Sequence, residues 1–216
     1  GFDGVLFCNE HDRPYQLQVG SETVAGMAAV VARIAPRLHV PFGVDILWDP
    51  IATLSVARAT KARFIREVMT GAYVSDFGLW QTDIGAVSRF RHQIGADEVR
   101  LFANINAEFA SPLDRRPVED LARSVVFSSQ VDALCVSGEM TGRPVAVDLL
   151  QRVKEAVPET IVVANTGVNP DNVAAMLQHA DAIIAGTSLK VDGITWNPVD
   201  PSRAQRLMEA VARARR

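Results

Sequence analysis

Two acidic residues, Asp45 and Glu67, fall inside runs of apolar residues that are typical of buried β-strands. A charge in a buried strand is costly unless an opposite charge or a solvated site compensates it. Both residues are therefore candidate catalytic acid–base groups or ligands of a divalent cation. The alternative is a structural ion pair with Arg66 or Arg100, and the sequence leaves the two interpretations open.

Other polar residues follow strand-like runs and complete the candidate site. Glu139 comes shortly after the apolar run at 133–136 and is a third candidate catalytic carboxylate. The candidate substrate-binding residues are Asn104, Asn165, Lys190 and Asp192. A carboxylate that exchanges protons near neutral pH needs a pKa raised by burial or by a like charge, and isomerase, epimerase and lyase chemistry would all suit such a group.

The sharpest local motifs are two glycine-containing turns late in the chain, NTGVN at 165–169 and GTS at 186–188. Glycine lets the backbone approach a ligand closely, hydroxyl groups donate hydrogen bonds, and free amides in such turns bind anions. The turns predict a phosphate site formed by Thr166, Gly167, Val168, Gly186, Thr187 and Ser188. The alternative is that these glycines only form tight turns.

Seven short β-rich runs recur along the chain, at residues 5–8, 40–47, 63–68, 99–104, 133–136, 161–164 and 182–185. Their spacing is about 30 residues, the length of one βα unit in a parallel sheet. Seven such units predict a TIM (β/α)8 barrel that lacks its first βα unit, organised as a single domain over residues 1–216. A doubly wound open sheet is the alternative, but no glycine-rich dinucleotide motif or P-loop occurs.

In such a barrel the chemistry lies at the carboxyl ends of the strands, and the candidate residues above fall at this rim. Residues 70–80, which contain aromatic residues and glycines, predict either a lid over the site or a packed surface loop. Residues 191–200 predict a second covering loop. Of the four histidines only His11 falls at this rim, so the sequence predicts no histidine-based metal cluster.

The composition excludes several classes of protein. Lys and Arg number 22 against 25 Asp and Glu, a net charge of −3, so no basic excess is present to bind nucleic acid. No apolar run approaches the roughly 18 residues of a membrane-spanning helix, and the first residues do not resemble a secretory leader. Cys8 and Cys135 lie in apolar runs, which favours buried reduced thiols and a cytoplasmic location. The sequence assigns no cofactor and leaves a homo-oligomer open.

Five segments together resemble the BtpA family, and in particular its SgcQ-type branch. They are GVDILWDP at 43–50, REVMTGAYVSDFG at 66–78, DALCVSGE at 132–139, ANTGVN at 164–169 and GTSLKVDG at 186–193. The resemblance implies a TIM barrel of the ribulose-phosphate-binding type. The family takes its name from a role in accumulating photosystem I, whereas the SgcQ-type branch resembles genes that lie among sugar-uptake genes.

These observations predict an enzyme that acts on a small phosphorylated metabolite such as a sugar phosphate, of the isomerase, epimerase or lyase type. The alternative is a non-catalytic assembly or stabilisation factor of the photosystem I biogenesis type. Nucleotide hydrolysis is disfavoured because the chain contains no Walker motif.

Overall fold

The computed structural model describes residues 1–215, in which strands and helices alternate. In chain order the strands are β1 (Val5–Cys8), β2 (Phe42–Asp45), β3 (Phe64–Glu67), β4 (Ala72–Ser75), β5 (Gly78–Gln81), β6 (Arg100–Asn104), β7 (Ala110–Pro112), β8 (Ala133–Val136), β9 (Ile161–Ala164) and β10 (Ala182–Ile183). The α-helices are α1 (Ser21–Ile34), α2 (Pro50–Thr60), α3 (Ile84–Gln93), α4 (Val118–Ser129), α5 (Val147–Ala156), α6 (Val173–Met176) and α7 (Pro201–Ala214). Short 3-10 helices cover Ala35–Arg37, Thr187–Leu189 and Val191–Gly193.

The seven strands expected from the sequence form one parallel sheet in the order β1-β2-β3-β6-β8-β9-β10. The sheet is strongly curled. Arg66 of β3 donates a hydrogen bond to Asn165, which directly follows β9, with 3.1 Å between the two atoms. Those two strands are separated by β6 and β8, so they would lie about 14 Å apart in a flat sheet. The α/β fold with a curled parallel sheet confirms the barrel-type prediction and excludes the doubly wound alternative.

The alternation of side chains along each strand creates two apolar layers. One layer lies inside the curled sheet, where Cys135 and Val163 pack with Ala133 and the rings of Phe64 and Phe102 stack at 4.9 Å. The other layer lies between the sheet and the surrounding helices and is built from the opposite faces of the same strands. Polar residues enter the inner layer toward the carboxyl ends of the strands, and this is where the candidate site begins.

The helix that supports the site, α2, begins directly after Asp49. The carboxylate of Asp49 accepts a hydrogen bond at 2.9 Å from the backbone N–H of Ala52, and Pro50 occupies the first turn of α2. A capping carboxylate followed by proline is a strong start signal, because it satisfies a free N–H and fixes φ. This cap places Thr53 of α2 beside the carboxyl end of β2, where its hydroxyl accepts from the N–H of Ile46 at 2.9 Å.

Residues 70–80 pack on the surface, as the second of the two alternatives predicts, but most of the segment is regular β-structure and not a loop. They form the hairpin of β4 and β5, which joins β7 in a small antiparallel sheet. The alternation of buried Tyr73 and Trp80 with exposed Val74 and Leu79 is the period-two pattern of a strand pair. The glycines and aromatic residues concealed this pattern in the sequence. The buried rings of Tyr73 and Trp80 anchor the hairpin to the rest of the fold.

No helix in the part of the chain that the structure describes is both long and apolar enough to cross a membrane.

Candidate functional site

A cavity of about 610 Å³ occupies the inside of the curled sheet, and its lining extends from residues before β1, such as Phe2 and Gly4, to the turns at the carboxyl ends of β9 and β10. Its deeper walls are apolar and include Phe64 and Phe102. Its outer part carries charged and polar side chains. This part of the lining includes Glu10, Asp45, Arg66, Glu108, Asn165, Thr166, Gly167, Gly186, Thr187 and Lys190.

Arg66 is the centre of a buried charged cluster. Its Nη1 donates to Oδ2 of Asp45 at 3.1 Å, and its Nη2 donates to Oε1 of Glu108 at 3.3 Å. Its Nε donates to Oδ1 of Asn165 at 3.1 Å. The ion-pair interpretation of Asp45 is therefore confirmed with Arg66 as the partner, whereas Arg100 pairs with Asp132 near the opposite end of the strand, at 2.8 Å. Asp45 and Arg66 also line the cavity. A structural ion pair and a role in the site are therefore compatible for Asp45.

The pKa values in the cluster reflect burial opposed by pairing. Burial raises the pKa of Asp45 to about 6, although Arg66 lowers it, and the charges of Glu10 and Glu108 raise it further. Burial also raises the pKa of Glu108, again against Arg66. For Arg66 burial lowers the pKa, but the two carboxylates more than offset this and raise it. The pKa of Asp45 therefore lies above the ordinary value of an aspartate, while Arg66 stays charged.

A network of amides fixes the side of the cavity next to this cluster. The Nδ2 groups of Asn165 and Asn104 donate to Oγ of Ser137 at 2.7 and 3.0 Å. The side chain of Asn106 binds the backbone of Ser137 twice. Its Oδ1 accepts from the Ser137 N–H, and its Nδ2 donates to the Ser137 carbonyl. Because Asn165 donates to Ser137 and accepts from Arg66, its amide has one orientation only. The network therefore fixes the position of the Asn165 side chain beside Arg66.

The two glycine-containing turns lie side by side. Oγ of Ser188 donates at 2.6 Å to the carbonyl of Val168, which ties the turn after β9 to the turn after β10. Oγ1 of Thr166 accepts from the N–H of Gly138, and Oγ1 of Thr187 lies 2.9 Å from Oγ1 of Thr195. The space above Gly186 is open, since a Cβ there would meet no atom within 4 Å.

Gly167 differs from Gly186 because the fold requires it to be glycine. Its φ is +65°, and a Cβ would overlap the backbone of Arg143 and Pro144. We expect Gly167→Ala to lower the free energy of unfolding by about 2–4 kcal/mol, from left-handed backbone strain and from overpacking. Denaturant unfolding measures this cost.

Two matched variants separate the causes of that loss. Gly78→Ala adds a methyl group in open space at a φ of +95°, so it reports backbone strain alone, about 1–2 kcal/mol. Gly186→Ala adds a methyl group in open space at a residue without a positive φ. We expect it to change the free energy of unfolding by no more than about 0.5 kcal/mol. A loss for Gly167→Ala no larger than that for Gly78→Ala would show that the contact with Pro144 does not constrain the turn.

The cavity brings together seven of the thirteen candidate residues. Asp45, Asn165, Thr166, Gly167, Gly186, Thr187 and Lys190 line it. The other six, Glu67, Asn104, Glu139, Val168, Ser188 and Asp192, lie outside the lining, and their functional roles stay predictions. Glu67 lies behind Asp45, Asn104 and Ser188 hold neighbouring groups in place, and Glu139 is exposed.

The sequence interpretation gave no role in the site to Glu10 or Glu108 and considered Arg66 only as a structural partner. Glu10 follows β1 and Glu108 follows β6. Their positions just after strands are the sequence signal that could have placed them at the carboxyl rim. Within residues 1–215 no group of three or more His, Cys, Asp or Glu side chains is arranged to hold a metal ion. The positive charge that lies between the carboxylates of Asp45 and Glu108 is the guanidinium of Arg66.

Comparison with known proteins supplies the family. A sequence model of the BtpA family matches residues 1–213. The chain belongs to the BtpA family. The putative sgc region protein SgcQ of Escherichia coli K12 is 46% identical over 216 residues, which are 100% of this chain and 81% of that protein. The photosystem I biogenesis protein BtpA of Synechocystis is 29% identical over 98% of this chain and 75% of its own.

The solved structures with a similar fold include enzymes of the TIM-barrel type. Thiamine phosphate pyrophosphorylase from Pyrococcus furiosus superposes on this BtpA-family protein with a TM-score of 0.63 at 13% identity, over 98% of this chain and 96% of the other. Phosphoribosyl anthranilate isomerase from Thermus thermophilus gives 0.58 at 13% identity, over 97% and 98%. At this level of identity the similarity establishes the fold alone.

Proposed function

We propose that this BtpA-family protein is a cytoplasmic enzyme that acts on a small phosphorylated metabolite such as a sugar phosphate, by isomerase, epimerase or lyase chemistry. One observation carries the proposal. A single cavity holds the buried Asp45–Arg66–Glu108 cluster together with the paired turns that contain Gly167 and Gly186. A substrate with a phosphate at one end and hydroxyl or carbonyl groups at the other matches this distribution.

The phosphate end is assigned to the two turns. The open space above Gly186 admits a bulky anion, and Thr166 and Thr187 line the same cavity. Lys190 adds a positive charge at the cavity wall. Backbone amides of glycine turns suit a tetrahedral anion because they present several donors at once. Val168 and Ser188 support this site by joining the two turns.

The reacting end is assigned to Asp45. A carboxyl group with a pKa of about 6 accepts and returns protons at neutral pH, which isomerases, epimerases and many lyases require. Arg66 has N–H groups beyond those used by Asp45, Glu108 and Asn165, and it lines the cavity, so it is placed to bind a developing oxyanion. The carboxamide of Asn165, held by Ser137, is placed to orient a hydroxyl group.

The names of the structural neighbours agree with this proposal, since both refer to phosphorylated compounds. The free thiols of Cys8 and Cys135 agree with the proposed compartment.

An assembly factor is the second candidate, because one relative is named a photosystem I biogenesis protein. The small antiparallel sheet offers a surface for such a role, since Val74 and Leu79 pair across β4 and β5 and are 54% and 74% exposed. That function needs no phosphate site. Binding of phosphorylated compounds in the cavity therefore discriminates between the two candidates.

The binding test uses isothermal titration calorimetry with inorganic phosphate and with pentose phosphates. We expect the wild type to bind and Gly186→Asp to bind at least about tenfold more weakly, since the new carboxylate occupies the anion site and repels it. Gly26→Asp is the matched control, because Gly26 lies on α1 in equally open space. Absence of heat at millimolar ligand, or equal affinity in the two variants, would contradict the proposal.

A further inference from the structure

Glu67 is buried in a place from which it does not contact the cavity. Its side chain is 1% exposed and lies on the α2 side of β3, where Oε1 is 2.7 Å from Oγ1 of Thr53. The same hydroxyl accepts from the N–H of Ile46 and lies 2.9 Å from the carbonyl of Asp49. Glu67 is thus held by groups that also fix the carboxyl end of β2, next to Asp45.

The two oxygens of Asp45 have unequal partners. Oδ2 accepts from Nη1 of Arg66 at 3.1 Å and from Sγ of Cys8 at 3.5 Å. Oδ1 is buried and has no donor among the groups of residues 1–215 when all carboxylates are ionised. A buried acceptor left without a donor is costly. The Glu67 carboxyl lies within hydrogen-bonding range of Asp45, and two ionised carboxylates there would repel each other.

We propose that Glu67 carries a proton and donates it to Oδ1 of Asp45, so that the two carboxyl groups hold one proton between them. The hydrogen bond satisfies the unpartnered oxygen and removes the repulsion. Asp45 then keeps its charge toward Arg66 and the cavity, while Glu67 is a positioning residue that orients it from behind.

The charges around the pair favour this arrangement. Asp45 faces Cys8 and Glu10 from β1 and the loop after it, Arg66 from β3, and Glu108 from the loop after β6. Glu67 faces Asp45 and Arg66, and α2 offers it the hydroxyl of Thr53. The carboxylate of Asp49 at the start of α2 accepts hydrogen bonds from the backbone N–H groups of Val19 and Ala52. The single positive charge of Arg66 thus acts on three buried carboxyl groups, those of Asp45, Glu67 and Glu108. Three buried negative charges would exceed this one positive charge, which favours protonation of one of the carboxyl groups.

Burial first, and then the charge of Asp45, raise the pKa of Glu67 well above its usual value, against smaller opposing effects of Thr53 and Arg66. The location of the proton is independent of the proposed enzymatic function. Only the use of the pair in catalysis rests on that function.

The test is a carbon NMR titration of the ligand-free protein labelled with ¹³C at the side-chain carboxyls of Asp and Glu. We expect the Glu67 carboxyl to show the protonated chemical shift at neutral pH, and its midpoint to fall by more than about one pH unit in Asp45→Asn. A Glu67 midpoint near the ordinary value of 4.5, or a midpoint that Asp45→Asn leaves unchanged, would overturn the proposal.

A second measurement compares the pH dependence of unfolding in the wild type and Glu67→Gln. A group protonated in the folded state and ionised in the unfolded state makes stability fall as pH rises above the unfolded pKa. We expect the wild type to release one more proton on unfolding than Glu67→Gln between about pH 5 and 7, since the glutamine N–H replaces the proposed donor without titrating. Equal proton release would contradict the shared proton.

Neither readout uses a substrate, so failure of this inference is distinct from failure of the proposed function. The wild-type titration alone decides the matter if a variant does not fold.

Discussion

Replacing Arg66 with methionine is expected to lower the free energy of unfolding by about 3–5 kcal/mol at neutral pH. The guanidinium is held at 3.1 Å from Asp45 and 3.3 Å from Glu108, and all three side chains are almost fully buried. Methionine fills a similar volume, so little of the loss comes from a cavity. The loss comes from two carboxylates that remain in a low-dielectric interior without a counter-charge. Urea unfolding followed by tryptophan fluorescence measures it.

Two further variants identify the cause. The first is a triple variant that combines Arg66→Met with Asp45→Asn and Glu108→Gln. It leaves no unpaired charge in the cluster, so we expect it to be more stable than Arg66→Met alone and to recover much of the lost free energy of unfolding. Arg100→Met is the matched surface control, because Arg100 pairs with Asp132 at 2.8 Å but is 68% exposed. We expect a loss of only about 0–1 kcal/mol there. A similar loss at the two arginines would show that burial is not what makes the Arg66 cluster important.

The same reasoning gives a pH dependence for Arg66→Met. Without the guanidinium, the pKa values of Asp45 and Glu108 rise further above their unfolded values, since the effect that lowers them is gone. Protonation at low pH removes the unpaired charges, so the difference in stability between wild type and variant shrinks as pH falls toward 4. A difference that grows in acid would contradict this account.

The positions of the seven parallel strands could be predicted from the sequence because buried parallel strands appear as short apolar runs at regular spacing. The same spacing placed Asp45, which stands out as a charge in an apolar run, and the turns at Gly167 and Gly186 at the carboxyl rim of the predicted barrel. The hairpin of β4 and β5 was missed because its alternation is short and is interrupted by Gly78 at the turn.

The composition of the charged cluster could not be predicted, since it depends on the curl of the sheet. Arg66 meets Asn165, which lies 99 positions later in the chain, only because β3 and β9 face each other across the cavity. Glu108 reaches the same guanidinium from a loop whose path no local pattern defines. Asp45 was predicted either as an ion-pair partner or as a site residue, and it lies in the ion pair and in the cavity lining.

Asp45→Asn is expected to abolish proton exchange on the substrate while leaving the fold intact. Under the proposed function Asp45 is the base, and loss of a positioned base lowers rates by about 10²–10⁴-fold. The measurement is proton NMR in D₂O with a panel of ketose and aldose phosphates, in which the wild type replaces a substrate C–H by C–D. The rate should rise with pH through about 6, because only the ionised carboxylate accepts a proton.

The stability of Asp45→Asn makes this result interpretable. Because burial raises the pKa of Asp45 above its unfolded value, the ionised side chain destabilises the folded state at neutral pH. Asparagine has the same shape without that cost, so we expect it to be neutral or stabilising, in contrast to Arg66→Met. A stable variant that still exchanges the substrate proton at the wild-type rate would exclude Asp45 as the base. A wild type that binds pentose phosphates at the Gly186 turn and yet exchanges no proton across the panel would argue for a binding protein with the same cavity.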